Sequence, residues 1–262
     1  AAGRPELVAG VGGANVVGRS FHDLMQDMVD VYAWGQSDYT DNRGGGWRYS
    51  WNADSDNSVC QWAAIGFMAA ERNWGLATPD WGKQRNLVWL AYSAGNSGFG
   101  YTGAGDGEAT TPSAMVQLAW NNVATTNALW LNGENYLAGK WSTLMGYNNV
   151  YANYAIAKSL RSANPPVHNF TANGKDWFRD PKDGLARTTI DRQRSDGTWL
   201  GSGRGYDNDV PMATAWSTII LSSSLFQRGP VAVVNTRPNP SAVGYPVVFD
   251  ARSSYHQHPA YK

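Results

Sequence analysis

The sequence predicts a mainly α-helical repeat protein that is followed by a short β segment. A glycine and an aromatic residue, then a polar loop, then the capped start of an apolar helix, occur in this order three times. The aromatic residues are Trp47, Phe99 and Trp199, so the turns recur at one and then two steps of roughly 50 residues. Gly146-Tyr147 lies near the midpoint of the longer interval, and we interpret it as a degenerate copy without its loop. In such repeat proteins each unit buries its apolar face against its neighbours.

The three turns share one pattern. A glycine lets the backbone bend tightly, an aromatic ring covers nearby helix ends, and a polar residue or a proline starts the next helix. The turn and helix-start residues are, in chain order, Gly46, Trp47, Tyr49 and Asp56; Gly98, Phe99, Tyr101 and Pro112; and Gly197, Trp199 and Asp209. We interpret most of the aromatic residues as anchors of these turns.

Composition narrows the classes of partner. The 262 residues can form a substantial core, and 21 basic residues balance 21 acidic ones, which argues against nucleic acid or an anionic membrane as the main partner. Only 16% of residues are charged, whereas Trp and Tyr number 13 each, a surface composition that suits carbohydrate contact or self-association. Cys60 is the single cysteine and is interpreted as a small core residue. No apolar run approaches the roughly 20 residues of a membrane span.

The first elements follow from periodicity and caps. Residues 1–20 are rich in Gly and Val, show no period, and predict a loop or linker. Ser20 is a plausible N-cap, and apolar residues at spacings of three and four predict a helix over 21–35. Asp56 is expected to cap a mostly apolar helix that runs to about residue 73.

Later helices are bounded by proline and glycine. Pro112 fits the first turn of a helix, Gly146 is expected to break one, and Pro165 to end another. The remaining helices are expected at about 81–94, 112–123, 132–145, 147–162, 174–193 and 209–226. Eight helices in four hairpins therefore predict a helical domain over 21–228.

The pattern changes after Gly229. The β-branched runs 231–234 and 246–249 flank a proline-rich turn and predict two strands. A complete β-sandwich needs about seven strands, so residues 229–262 predict an incomplete β domain. Two strands with open edges favour pairing with a neighbouring copy, which would produce a ring or a filament. The alternative, which stays equally open, is that these strands begin a domain of a longer chain.

The repeated turns resemble those of the prenyltransferase and squalene-cyclase superfamily of α/α toroids. The residues that carry the resemblance lie in 45–62, 98–115 and 197–216, and it covers about residues 21–226. It implies an arc of helical hairpins. Residues 231–255 resemble the opening of a PKD domain, an immunoglobulin-like module typical of extracellular proteins. That likeness implies an extracellular or cell-surface location.

The catalytic motifs of that superfamily are poorly matched by the residues of this sequence. Asp54-Ser55-Asp56-Asn57 is similar to the Asp-rich motif of terpene cyclases but lacks its final acidic pair, and it falls where a helix cap is expected. Cys60 has no aspartate two residues before it, as a prenyltransferase zinc site would require. We assign no catalytic residue, no cofactor and no zinc site.

Other acidic residues have simpler interpretations. Asp106 and Glu108, in a glycine-rich loop, and Asp207 with Asp209 are weak calcium candidates, and turn or cap roles explain them more simply. Asp176, Asp180 and Asp183 recur at spacings of four and three residues and are expected to form a solvated charged face of one helix. Asn169 begins a glycosylation sequon of a kind that is common by chance.

Two functions remain open at this point. The first is a non-catalytic extracellular structural or interaction module that binds itself, other extracellular proteins or carbohydrate, and that assembles through its β segment. The alternative is a terpene-cyclase-like, prenyltransferase-like or carbohydrate-active enzyme with an aromatic cavity. A deep aromatic pocket containing Asp54 or Asp56 would favour the enzyme, and Asp56 bonded to backbone N–H groups at a helix start would disfavour it.

Overall fold

The computed structural model describes residues 5–201 and 209–222, together with the backbone of four short strands after residue 229. The chain divides into two compact units, Ala1–Leu221 and Ser222–Lys262. Each unit is described by itself below.

The first unit is helical, which confirms the mainly α class. Its described residues form eight helices. They are α1 Phe21–Trp34, α2 Asn57–Trp74, α3 Asp80–Ser93, α4 Thr110–Trp120, α5 Ala128–Tyr147, α6 Val150–Ser162, α7 Leu185–Asp191 and α8 Val210–Leu221. Within the described residues, no helix has the length and apolar character that crossing a membrane requires.

The even-numbered helices pack side by side, in the order α2, α4, α6, α8. The odd-numbered helices pack against this row, with α1 on α2, α3 and α5 on α4, and α7 on α8. Helix α4 lies at the centre, and every residue from Thr111 to Trp120 is buried. Helices α2 and α6 also touch, because the Tyr151 hydroxyl donates to the Ser58 carbonyl at 2.7 Å.

Each glycine-aromatic turn is tied to the following helix by the same kind of hydrogen bond, which we name the turn-to-helix bond. The backbone N–H of the turn aromatic donates to a small side chain in the first turns of that helix. Trp47 donates to Cys60 Sγ at 3.1 Å, Phe99 to Thr111 Oγ1 at 3.0 Å, and Trp199 to Thr214 Oγ1 at 3.1 Å. The three turns therefore share this hydrogen bond as well as a sequence pattern.

The tryptophan rings of two turns also cover helix ends. Trp47 Nε1 donates to the Tyr32 carbonyl at 2.8 Å in the last turn of α1, and Trp199 Nε1 donates to the Thr189 carbonyl at 2.7 Å in the last turn of α7. The last four carbonyls of a helix have no hydrogen-bond donor within the helix, and both of these carbonyls are among those four. Gly46 makes the first turn possible, since a Cβ there would lie 2.6 Å from Cys60 Sγ.

A buried amide network joins the first two repeats. Asn57 Oδ1 accepts from Trp89 Nε1 and from Gln117 Nε2, each at 2.9 Å, and Asn57 Nδ2 donates to the Gly100 carbonyl at 2.8 Å. Asn86 extends the network to Gln117 at 3.0 Å and to the Gly45 carbonyl at 3.1 Å. One polar network thus links α2, α3 and α4 to both turns, and buried polar groups of this kind specify a single packing.

Residues 5–20, for which the sequence predicts a loop or linker, fold back on themselves. Ala9 N–H donates to the Arg19 carbonyl at 2.9 Å, and Phe21 N–H donates to the Leu7 carbonyl at 2.8 Å. The hydroxyl of Ser20 accepts from Asp23 N–H at 3.1 Å, which is the capping bond of α1.

The expected break at Gly146 is wrong. Helix α5 passes through Gly146 and ends at Tyr147, and its C-cap Asn148 adopts a left-handed conformation with φ of 52°. Asn149 then caps α6 by accepting from Ala152 N–H at 2.9 Å. Two consecutive asparagines make the corner, because asparagine tolerates both the left-handed and the N-cap conformation.

The helix expected over 174–193 is also wrong, and with it the charged helical face. Only α7, Leu185–Asp191, is helical in this stretch. Asp176 Oδ1 accepts from the backbone of Arg179 at 2.7 Å, and Asp180 Oδ1 accepts from that of Lys182 at 2.9 Å. Aspartates that bond the nearby backbone favour turns over helix, and Asp183 pairs with Lys175 instead of facing solvent along a helix.

The second unit contains four described strands: β1 Pro230–Val231, β2 Asn235–Arg237, β3 Val248–Asp250 and β4 Tyr255–His256. Strand β1 pairs antiparallel with β4, and β2 pairs antiparallel with β3. Most of the predicted runs 231–234 and 246–249 lies outside the described residues, as do 223–229, where the last helix was expected to end.

Replacing Thr111 by valine tests the turn-to-helix bond. The variant keeps the shape of the side chain but leaves the buried N–H of Phe99 without its acceptor, so the free energy of unfolding should fall by about 1–3 kcal/mol. Urea denaturation measures the change. Thr126→Val is the control, since Thr126 is exposed and its replacement should change stability by less than about 0.5 kcal/mol. Equal effects of the two replacements would contradict the assignment.

Candidate functional site

A cleft of about 340 Å³ lies beside the first glycine-aromatic turn. Its lining residues are Tyr32, Trp47, Arg48, Tyr49, Ser50, Trp51, Val59, Trp62 and Ala63. Five of these nine residues are aromatic, and within the lining only Arg48 carries a charge. The cleft therefore offers mainly ring surface to a ligand.

Three segments build the cleft. Tyr32 comes from the last turn of α1, residues 47–51 form the turn itself, and Val59, Trp62 and Ala63 come from the start of α2. Trp47 is buried, held by its indole bond to α1 and by its turn-to-helix bond. Because these two hydrogen bonds hold the turn against both helices, the shape of the cleft is set by the fold.

The rings at the mouth of the cleft remain accessible. The Tyr49 residue is 75% exposed and the Trp51 residue is 49% exposed. Trp51 is supported edge-on by Tyr32, with ring centroids 5.4 Å apart, and lies 6.5 Å from the ring of Trp34. Exposed aromatic rings in a concave, preformed surface are characteristic of ligand sites.

The charge of Arg48 is neutralised inside the cleft wall. Arg48 Nη1 donates to both carboxylate oxygens of Asp54 at 2.7 Å. This hydrogen bonding raises the pKa of Arg48 above its ordinary value. Asp54 is thereby committed to an ion pair, and the cleft gains polar hydrogen-bonding groups without a net charge.

Asp56 caps a helix and does not line the cleft. Its Oδ1 accepts from the backbone N–H of Ser58 at 2.8 Å and from the Ser58 hydroxyl at 2.7 Å. Within the described residues Oδ2 meets no donor at good hydrogen-bonding geometry. Interaction of the Tyr101 hydroxyl with the Asp56 carboxylate is the largest cause that raises the pKa of Tyr101 to about 12. The Asp-rich segment thus provides an ion pair and a helix cap.

Cys60 has a structural role. Burial raises the pKa of its thiol to about 12, so the thiol stays protonated at neutral pH. Its sulfur accepts the N–H of Trp47, a role that Thr111 and Thr214 take in the other repeats. In the other two turns a threonine hydroxyl accepts the equivalent hydrogen bond. The bond therefore does not depend on thiol chemistry, which supports a structural interpretation of Cys60.

A buried lysine lies behind the cleft wall. Lys158 Nζ is 4.4 Å from the ring centroid of Trp62 and 3.9 Å from that of Tyr154, and it donates to Gln61 Oε1 at 3.2 Å. Within residues 5–201 and 209–222 no carboxylate forms an ion pair with it. Burial lowers its pKa well below the ordinary value for lysine. The rings of Trp62, Tyr154 and Trp216 stack in sequence around it.

The calcium candidates are spread over separate elements. Glu108 Oε1 accepts from Asn149 Nδ2 at 2.9 Å, ahead of α6, while Asp209 accepts from Met212 N–H at 3.0 Å at the start of α8. Asp207 lies outside the described residues. In the part of the chain that the structure describes, no three His, Cys, Asp or Glu side chains come together as metal ligands would.

Sequence reasoning identified Trp47 and Tyr49 but missed much of the cleft. Trp51 follows Tyr49 by two residues, and two exposed rings so close in one loop were a usable signal. Lys158 follows Tyr154 by four residues and Tyr151 by seven, so helical spacing alone places it on the same face as both rings.

No protein family, no curated protein and no solved structure matches this chain. Its function has to be inferred from the cleft and from the residues around it.

Replacing Lys158 by methionine should raise the free energy of unfolding near neutral pH by about 1 kcal/mol, because a buried cation without a carboxylate partner is lost. The folded-state pKa of Lys158 lies below that of the unfolded chain, so the wild-type penalty is full below the folded pKa and disappears above the ordinary value of 10.5. The advantage of the variant should therefore shrink as pH rises.

Urea denaturation between about pH 7 and pH 10 measures this difference. Lys140→Met is the control, since Lys140 is exposed on α5 and its replacement should leave a difference that does not change with pH. An advantage of Lys158→Met that stays constant over the range would contradict the interpretation of Lys158 as a buried cation without a carboxylate partner.

Proposed function

We propose that the chain is a non-catalytic extracellular interaction module that binds neutral polysaccharide in the cleft of the first turn. The observation that carries the proposal is the set of accessible rings, Tyr49, Trp51 and Trp62, around a preformed concave surface. The location follows from the resemblance of the C-terminal segment to a PKD domain and remains part of the proposal.

The chemistry of the cleft favours a sugar. A pyranose ring with equatorial hydroxyls has flat C–H faces that pack on aromatic rings, while its hydroxyls need hydrogen-bonding partners at the edge. The ring faces of Trp51 and Tyr49 suit the first requirement. Ser50 and the neutralised Arg48–Asp54 pair suit the second without favouring an ionic ligand.

The enzyme alternative has weaker support. Glycoside hydrolysis in most families needs two carboxyl groups facing the bond that is cleaved, and the lining of the cleft contains no carboxyl group. A terpene-cyclase mechanism would need a free acid in the cavity, whereas Asp54 holds Arg48 and Asp56 caps α2. Because both carboxylates already have these structural interactions, they favour binding over catalysis as the function of the cleft.

We further propose that the helical unit is an arc of the α/α toroid type. The side-by-side row of α2, α4, α6 and α8 and the equivalence of the turn-to-helix bonds support it. Assembly of copies through the C-terminal segment also remains a proposal, and it concerns a part of the chain of which only four short strands are described.

Replacing Trp51 by alanine should weaken binding of cellohexaose, a chain of β-1,4-linked glucose, by about tenfold or more, because truncating an aromatic hot-spot residue typically costs about 2 kcal/mol. Isothermal titration calorimetry measures the affinity. Trp81→Ala is the matched control, since Trp81 lies on α3 outside the cleft and is 47% exposed, against 49% for Trp51. Equal losses in the two variants, or no binding by the wild type, would contradict the proposal.

A further inference from the structure

We propose that the binding surface continues out of the cleft, over Tyr49, to Tyr101 of the second turn, and that the protein therefore recognises an extended chain of sugar units. This inference rests on the proposed function and specifies its ligand. We name the surface formed by Trp34, Trp51, Tyr49 and Tyr101 the aromatic strip.

The backbone fixes Tyr101 beside the start of α2. Asn57 N–H donates to the Tyr101 carbonyl at 3.1 Å, and Asn57 Nδ2 donates to the Gly100 carbonyl at 2.8 Å. Asn57 is the first residue of α2, and Val59, two residues later, lines the cleft. The second turn is thus held next to the cleft by two hydrogen bonds to one buried residue.

The tyrosines of the two turns are both accessible at the surface. Tyr49 and Tyr101 are exposed by 75% and 47%, so both rings are open to a ligand. Hydrogen bonding to Asp56 is the largest cause that raises the pKa of Tyr101, burial comes second, and Tyr49 contributes a smaller part. Arg48 of the cleft also interacts electrostatically with Tyr101. Tyr101 therefore lies within reach of groups that line the cleft.

The repeat explains why the strip has this extent. Tyr49 follows Trp47 by two residues and Tyr101 follows Phe99 by two residues, so equivalent turns present equivalent tyrosines. The corresponding position in the third turn is Gly201, which has no ring to offer. At the other end, Trp34 is 66% exposed and its ring lies 6.5 Å from that of Trp51.

A surface of this kind should bind long chains more tightly than short ones, because additional sugar units meet additional rings. The probes are cellobiose and cellohexaose, with affinities measured by isothermal titration calorimetry on the full chain. The wild type should bind cellohexaose about tenfold more tightly than cellobiose. Tyr101→Ala should remove most of this gain while leaving cellobiose binding unchanged.

Tyr147→Ala is the matched control. Tyr147 is also 47% exposed, but it lies at the end of α5, outside the strip, and its replacement should preserve the gain with chain length. Thermal unfolding of both variants checks that the fold is intact.

The other outcomes are decisive. Equal affinities of the wild type for the two probes would overturn the strip and leave the cleft proposal standing. A Tyr101→Ala variant that keeps the full gain, or loses affinity equally for both probes, would also overturn it. If Tyr101→Ala reduced self-association of the protein but did not reduce the gain in affinity with chain length, the rings would be assigned to a contact between copies. Failure of the wild type to bind either probe would remove the proposed function itself.

Discussion

The structure depends on the hydrogen bond that joins each glycine-aromatic turn to the following helix. In three turns the backbone N–H of the aromatic residue is held by a small side chain, Cys60, Thr111 or Thr214. When a bend is buried against a helix end, its backbone N–H and C=O groups must find hydrogen-bond partners within the protein. The same contact occurs at three points along the chain, and in α4 every residue from Thr111 to Trp120 is buried.

The cleft is a consequence of this arrangement. The turn must bury one ring, Trp47, to cover the end of α1, and the residues directly after it then emerge at the surface. Tyr49 and Trp51 are in that position, so the segment that closes the fold also displays exposed rings. The amide network around Asn57 holds the second turn against the first and brings Tyr101 to the same surface. Structural and proposed binding roles are thereby combined in neighbouring residues.

Local patterns revealed the helical class and the repeated turns, because a glycine, a ring and a cap at a fixed spacing are visible in one dimension. The failures have identifiable causes. Asp176 and Asp180 bond the local backbone and form turns where composition suggested a helix, and Asn148 ends α5 two residues after the glycine that seemed to break it. The position of Lys158 behind Trp62 depends on contact between α2 and α6, which no local pattern contains.

The central claim is that the rings beside the first turn bind sugar, and mapping the ligand on the protein tests it most directly. The chain has 13 tryptophans, whose indole N–H signals can be followed by ¹⁵N NMR during titration with cellohexaose. We expect the signals of Trp51 and Trp62 to move, while those of Trp81, outside the cleft, and Trp130, fully buried, stay in place. Shifts centred on Trp81, or unchanged signals of Trp51 and Trp62 at saturation, would contradict the claim.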